Sequence, residues 1–174
     1  AGVVSDLRMI NGQRGKLILF KLDDKTDTLE ASVDEALYNA QREVLKDDQI
    51  VVLQAVPQPD RFSGGLRLKV QRVWDMGQAR CRFGKYLLVE VGARPPAIGE
   101  VVQQHAPKRD YSDEGHELVQ GLQVRLRVVR EAVEADIALD DRALFYPSDA
   151  ALQAWRAQAL GQSVRVIYSS EALH

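Results

Sequence analysis

The chain has 174 residues, and its 23 Lys and Arg nearly balance its 25 Asp and Glu, so the net charge is −2 at pH 7. Hydrophobic residues make up 45% and charged residues 28% of the chain, and this ordinary composition excludes a disordered chain, a collagen-like chain and a strongly basic tail protein. The single cysteine, Cys81, excludes an internal disulfide framework and a cysteine-rich zinc site. Because no apolar run reaches the ~18 residues of a membrane span and no signal peptide opens the chain, we expect a cytoplasmic protein without a membrane partner.

The first 76 residues are predicted to form strands around one helix. A strand-like run begins at Val3, which suggests an excised piece of a longer protein, and Asp34 can cap a helix over residues 35–46. The other strands are predicted over residues 16–22, 29–33, 49–56 and 66–74. Three strands, a helix and two strands are the order of a five-stranded OB-fold barrel, with a small sandwich as the alternative.

Residues 77–174 are predicted to form a second domain. Strands are expected over residues 85–91, 118–129, 132–139 and 164–168, and helices over residues 96–105 and 148–160. Ser148 can cap the last helix and Gly161 can end it. This sequence of elements matches the ferredoxin-like order βαββαβ. The predicted fold class is therefore mixed β and α+β, with an OB-fold domain over residues 1–76 and a small α+β domain over residues 77–174.

Charge is segregated along the predicted OB-fold. Residues 7–22 and residues 61–72 each contain four basic residues and no acidic ones, whereas residues 23–60 contain ten acids and three bases. In an OB barrel the two basic stretches fall on the loops and strands that bind oligonucleotides, where Lys and Arg pair with phosphates and binding weakens with salt. Solvated outer strand faces are the alternative explanation. The basic candidates for nucleic-acid binding are Arg14, Lys16, Lys21, Arg61, Arg67 and Lys69.

Single-strand binders also need aromatic platforms for base stacking. Phe62 lies beside a Ser-Gly-Gly turn at a predicted loop tip and is the candidate platform, with a hydrophobic plug of the barrel end as the alternative. Phe20 is expected in the core, since it shares a strand face with apolar neighbours. Leu17 and Leu19 share the opposite face with Lys21, and aliphatic side chains stack poorly. We therefore expect weak, sequence-tolerant binding.

Patterns for catalysis and metal binding are missing from the sequence. The three histidines, His105, His116 and His174, show no metal-ligand spacing, and the paired aspartates fall at predicted turns. No nucleophile stands near a candidate base. We expect no catalytic residue, no metal site and no cofactor in this chain.

Several ordered motifs resemble one known family. The most specific is Phe-Ser-Gly-Gly-Leu-Arg-Leu at residues 62–68, and a Tyr-Pro-Ser-Asp motif begins at Tyr146. Further matching segments are residues 13–16, 22–24, 29–30, 45–52 and 72–75. Together they resemble the C-terminal part of the bacterial replicative DNA polymerase III alpha subunit. The resemblance implies an OB-fold that contacts single-stranded template DNA and a tail domain that binds the tau subunit of the clamp loader, among other replicase subunits.

The resemblance also assigns roles to individual residues. Arg14 and Lys16 match the basic first loop of the family, and Phe62 and Arg67 match the hairpin between strands 4 and 5. The first loop has a shorter basic run here than is usual in the family, which suggests reduced phosphate affinity. The fragment would contain no polymerase active site, although the parent enzyme is a DNA-directed DNA polymerase, a nucleotidyltransferase.

Three aromatic residues of the tail are candidate contacts for tau: Phe145, Tyr146 and Trp155. Aromatic side chains are enriched at interface hot spots, and core packing is the alternative role for each. Two other functions are open for the whole chain. One is an RNA-binding OB module such as the anticodon-binding domain of a class II tRNA synthetase, although those domains generally present an aromatic where Leu19 stands. The other is a pure protein-interaction scaffold.

Overall fold

The computed structural model describes residues 1–12, 15–60, 64–92, 96–111, 116–130, 133–159 and 162–168. The chain divides into two compact units, Ala1–Met76 and Gly77–His174, and each unit has its own hydrophobic core. None of the described helices is long and apolar enough to cross a membrane.

Within its described residues, the first unit is a barrel of five strands. Its elements are β1 (Gly2–Gly12), β2 (Gly15–Asp23), β3 (Thr28–Asp34), α1 (Glu35–Ala40), β4 (Ile50–Pro59) and β5 (Leu66–Trp74). The strands close in the order β1-β2-β3-β5-β4. The β3–β5 pair is parallel and the other pairs are antiparallel. The predicted order of three strands, a helix and two strands is therefore confirmed.

Strand β1 pairs with both β2 and β4, and it carries a bulge after Ser5. Asp6 and Leu7 together lie opposite one residue of β2, and Asp6 has a positive φ of 53°. Such a bulge bends a strand and increases its twist. Before the bulge Val4 faces the core, where it packs with Ile18 and Phe20 of β2, as the alternation along β2 predicts.

Helix α1 begins where the sequence predicts and ends earlier. The Asp34 carboxylate accepts a hydrogen bond from the Leu37 backbone N–H at 2.8 Å, which confirms the N-cap. The helix ends at Ala40 rather than at residue 46, and the turns that follow carry Leu45 into the barrel core. The chain therefore leaves the helix before the last turn that the periodicity predicts, and Leu45 packs in the core instead.

The second unit builds a four-stranded sheet. Its elements are α2 (Met76–Phe83), β6 (Gly84–Val91), α3 (Ile98–Gln104), β7 (Lys108–Tyr111), β8 (Glu117–Gln120), β9 (Gln123–Arg130), β10 (Val133–Ala138), a 3-10 helix (Asp141–Ala143), α4 (Asp149–Gln158) and β11 (Val164–Tyr168). The sheet order is β10-β9-β6-β11, and β7 and β8 form a separate hairpin. The β6–β9 pair is parallel, while β10 and β11 run antiparallel to their neighbours.

This topology corrects the ferredoxin-like prediction. In that plan the strands of a βαβ unit are split by another strand, whereas β6 and β9 are adjacent in the sheet. The predicted strand 118–129 also breaks into β8 and β9. The break lies at Gly121, where an added Cβ would stand 3.0 Å from the Pro107 side chain, and at Leu122, which bridges to Phe145. Neither residue pairs with β7. β8 therefore remains in the hairpin with β7, while β9 belongs to the four-stranded sheet.

The three aromatic residues predicted to contact a partner lie in the core of the second unit. Phe145 and Trp155 are 0% exposed, and their rings meet edge to face with centroids 5.7 Å apart. Tyr146 is also buried, and the Lys108 ammonium lies 3.8 Å from its ring centroid. Their burial corrects the partner assignment: in this fold the three rings pack the core and present almost no surface to another protein.

Candidate nucleic-acid interface

The register of three strands places three of the six predicted basic residues, Lys21, Arg67 and Lys69, on one face of the barrel. Lys21 of β2, Glu30 of β3 and Arg67 of β5 form one row across the strands. Leu19, Ser32 and Lys69 form the next row. Because side chains alternate between the two faces of a strand, these residues point away from the core that Phe20 occupies. We call this surface, formed by the outward side chains of β1, β2, β3 and β5, the outer sheet face.

A groove of about 550 Å³ runs along part of the outer sheet face. Side chains from four elements line it, including Lys16, Leu17, Ser32, Asp60, Arg67 and Lys69. The lining combines apolar side chains with three basic residues, Lys16, Arg67 and Lys69, and two acidic ones, Asp34 and Asp60. This is the arrangement that a phosphate backbone and flanking bases can occupy.

Lys69 and Lys16 are the more available cations of the groove. Lys69 is exposed, and none of the described residues forms an ion pair with it. The Lys16 ammonium lies 3.2 Å from a carboxylate oxygen of Glu35, and both side chains are largely exposed. Exposed pairs of this kind contribute little to stability, so Lys16 can exchange its partner for a phosphate.

Arg67 is much more constrained than the two lysines. Its Nη2 and Nε lie 2.6 and 3.0 Å from Oε2 of Glu30, and its Nη2 lies 3.3 Å from Oδ1 of Asp60. Glu30 also accepts a hydrogen bond at 2.7 Å from Nη2 of Arg8 on β1. Two arginines and two carboxylates thus form one charge-balanced cluster on the outer sheet face.

Lys21 has an acidic neighbour too. Its ammonium lies 2.6 Å from a carboxylate oxygen of Asp6 in the β1 bulge. The hydrogen bond and positive charge of Lys21 hold the pKa of the Asp6 carboxyl below its usual value of 3.8. Lys21 stays largely exposed although its charge is paired with Asp6.

Three candidates from the sequence, Arg14, Arg61 and Phe62, lie outside the described residues. The first described residues after these two segments are Gly15 and Gly64, whose φ angles of 117° and 72° fall in the region that favours glycine. The backbone conformation therefore accounts for glycine at both positions, independently of any role in binding.

Some residues of the site are missed by sequence reasoning. Arg8, Glu30 and Asp60 complete the charged cluster, and pairing across strands is what brings them to Arg67. Leu19 is only 5% exposed although it lies on the outer sheet face, so it offers less surface to a base than expected. Among the described residues, no group of three or more His, Cys, Asp or Glu could hold a metal ion.

Comparison with known protein families agrees with this geometry. Residues 1–76 match the family described as "OB-fold nucleic acid binding domain". The first unit is an OB-fold domain. This fold binds oligonucleotides on its strand 2–3 face and on the two flanking loops. Lys16 lies on β2, and Lys69 lies on β5 opposite Ser32 of β3.

Curated relatives extend the comparison beyond the barrel. The chain is 31% identical to DNA polymerase III subunit alpha of Pseudomonas aeruginosa over 112 residues, 60% of this chain and 10% of that protein. The Vibrio cholerae subunit alpha is 32% identical over 92 residues, 52% of this chain and 8% of that protein. The Escherichia coli K12 subunit alpha is 28% identical over 95 residues, with 54% and 8% coverage. The family resemblance seen in the motifs is confirmed, and the matched part spans about a tenth of these relatives.

Proposed function

We propose that this chain is a noncatalytic C-terminal fragment of a DNA polymerase III alpha subunit, acting in DNA replication in the cytoplasm. In this proposal the OB-fold contacts single-stranded template DNA and the tail unit binds the clamp-loader tau subunit. The observation that carries the DNA part is the groove on the outer sheet face, with Lys69 and Lys16 at its sides. The similarity to polymerase subunits supports DNA over other polyanions.

The groove explains the kind of binding expected. Lys69 and Lys16 would each neutralise one phosphate, and the released counterions would make the affinity depend on salt. Leu17, Pro59 and Val70, which line the groove, give bases an apolar surface without a specific hydrogen-bond pattern. Binding should therefore be weak and tolerant of sequence, as suits a module that contacts a moving template.

The DNA proposal is tested by titrating labelled oligo-dT at several salt concentrations. The double variant Lys16→Ala with Lys69→Ala should reduce the slope of log K against log salt by about 1.4, or about 0.7 for each lost phosphate contact on a single strand. Lys25→Ala with Lys46→Ala is the matched control, because it also removes two positive charges and neither lysine lines the groove.

Two results would count against the DNA proposal. One is no binding of oligo-dT at low salt. The other is an equal loss of affinity in the control and in the groove variant, which would show that only total charge matters. An RNA hairpin titrated in parallel distinguishes the alternative function, since a marked preference for RNA would favour an RNA-binding module.

The tau part of the proposal needs exposed residues, since the three candidate aromatics are buried. The β7–β8 hairpin supplies them: Tyr111 is 69% exposed, and Leu118 and Val119 are also exposed. Among the described strands, β7 and β8 pair only with each other. An isolated two-stranded hairpin has little stability of its own, and exposed apolar groups grouped on one element are typical of interaction surfaces.

The hairpin is tested by measuring tau binding with the double variant Tyr111→Ser and Val119→Ser. If the hairpin binds tau, the affinity should fall about tenfold or more, which corresponds to about 1.4 kcal/mol. Val133→Ser with Ile137→Ser is the control, because both are exposed apolar residues on β10 of the same unit. Equal affinities for the wild-type chain and the hairpin variant would remove the hairpin from the proposal.

A further inference from the structure

We infer that Glu30 limits the affinity of the OB groove, because its carboxylate holds two arginines that would otherwise bind phosphates. This inference rests on the proposed binding of single-stranded DNA. It adds a residue that sets the strength and salt dependence of binding, at a position that the basic stretches of the sequence do not include.

The geometry of Glu30 is that of a bridging anion. One carboxylate oxygen, Oε1, accepts from Arg8 Nη2 at 2.7 Å, and the other, Oε2, accepts from Nε and Nη2 of Arg67 at 3.0 and 2.6 Å. Both oxygens are therefore occupied by guanidinium donors. A phosphate uses the same kind of donor pair, so Glu30 occupies the place that a phosphate would take between β1 and β5.

Burial makes this arrangement persistent. The Glu30 and Arg67 side chains are 26% and 20% exposed and that of Asp60 is almost fully buried, so the Arg67 pairs are the persistent ones, whereas the Arg8 side chain is 59% exposed. Solvent and salt screen such pairs less than they screen fully exposed ones. A phosphate that approached Arg67 would have to displace one carboxylate and would then lie close to the other.

Lys69 on the same face contrasts with the two arginines, which are both paired with Glu30. Lys69 follows Arg67 by two residues on the same face of β5, and no described residue pairs with it. The wild-type groove thus offers its lysines to DNA, while Arg8 and Arg67 stay occupied. Glu30 thus pairs with both arginines, and Arg67, which lines the groove, is also paired with Asp60.

The direct test compares Glu30→Gln with Glu43→Gln in oligo-dT titrations over a range of salt. Both variants remove one negative charge, but Glu30 pairs with Arg67, which lines the groove, whereas Glu43 pairs with Lys46, which does not. Each arginine that Glu30→Gln frees should make the slope of log K against log salt steeper by about 0.7, which gives roughly eightfold tighter binding at about 50 mM salt. Glu43→Gln should change the affinity less than twofold.

A second variant separates this role from a purely structural one. Arg8→Gln should leave the affinity of the otherwise wild-type chain within about twofold, because the arginine is already occupied. In the Glu30→Gln background, Arg8→Gln should remove part of the gained slope. If Arg8→Gln weakens wild-type binding as much as Lys69→Ala does, Arg8 already contacts DNA and the inference is overturned.

The outcomes for the inference and for the proposed function are distinguishable. If the wild-type chain binds through Lys16 and Lys69 but Glu30→Gln binds no better than Glu43→Gln, the inference fails and the function stands. If the wild-type chain does not bind and Glu30→Gln does, the inference holds and the wild-type groove is closed by its own carboxylate. If no variant binds at low salt, both fail. Thermal unfolding of each variant verifies that the barrel stays folded.

Discussion

Replacing Phe145 by Ala should destabilise the second unit by about 3–5 kcal/mol, the usual cost of truncating a fully buried Phe. Phe145 is 0% exposed and meets Trp155 edge to face, with ring centroids 5.7 Å apart at an interplanar angle of 67°. Of the total, about 0.5–1.5 kcal/mol belongs to the aromatic pair itself. The remainder is lost apolar burial and the cavity that the surrounding side chains fill only in part.

The expected loss is large enough to measure in a urea titration. Domains of this size are stable by about 5–15 kcal/mol, so the variant loses a substantial fraction of the total. With a denaturant dependence of about 1.5 kcal/mol per molar urea, the unfolding midpoint should fall by about 2–3 M. Phe145→Leu keeps most of the apolar volume and should cost only about 1–2 kcal/mol.

Fluorescence can report on the second unit alone. The chain has two tryptophans, and Trp74 lies in the first unit while Trp155 lies in the second. A Trp74→Phe background therefore leaves Trp155 as the reporter next to the mutated site. A midpoint shift below about 0.5 M for Phe145→Ala would refute the core assignment. Loss of tau binding at unchanged stability would return Phe145 to the partner-contact role that its burial argues against.

Three further changes test local features of the two units. Gly77→Ala should cost about 1–3 kcal/mol in thermal unfolding, because the added Cβ would lie 2.7 Å from the Tyr146 ring; an unchanged melting temperature would show that the ring moves aside freely. Ser148→Ala should cost about 1 kcal/mol by loss of the N-cap of α4, whereas Ser148→Thr should keep it. Hydrogen bonds from Thr26 lower the pKa of Asp24 from 3.8 to about 2, so the stability that this carboxylate contributes is complete above about pH 4 and is lost as the pH falls towards 2. The difference in stability between the wild-type chain and Asp24→Asn should therefore shrink over that range, and a difference that does not depend on pH would contradict the assignment.

The barrel was predictable because local patterns decide its strands. Alternation along β2 places Ile18 and Phe20 in the core, and the position of Asp34 before an amphipathic segment marks the start of α1. Departures from strand alternation, such as bulges and exposed strand ends, were not predictable in the same way. Simple alternation along β5 puts Leu66 on the core face, yet Leu66 is 62% exposed at the strand end, and a register shift after Val70 changes the alternation further along. One extra residue in a strand reverses every later side chain, and composition carries no sign of it.

The tail was less predictable because its topology depends on long-range pairing. Adjacent and split βαβ units share one order of elements along the chain, so element order cannot decide between them. The aromatic residues show the same limit. Enrichment of aromatics at interfaces and in cores made Phe145 and Trp155 ambiguous, and only the three-dimensional packing assigns them to the core.

The charge pattern shows most clearly how the fold changes what the sequence suggests. Along the chain, two basic stretches stand apart from an acidic middle segment. In the barrel, β3 lies between β2 and β5, so Glu30 of the acidic segment reaches arginines that are 22 and 37 residues away. The count of basic residues therefore overstates the positive charge that DNA meets. What matters is which cations lack a close carboxylate, and this predicts that Lys69→Ala weakens oligo-dT binding most, Lys16→Ala less and Arg67→Ala least. The reverse order would show that the ion pairs open at little cost when DNA binds.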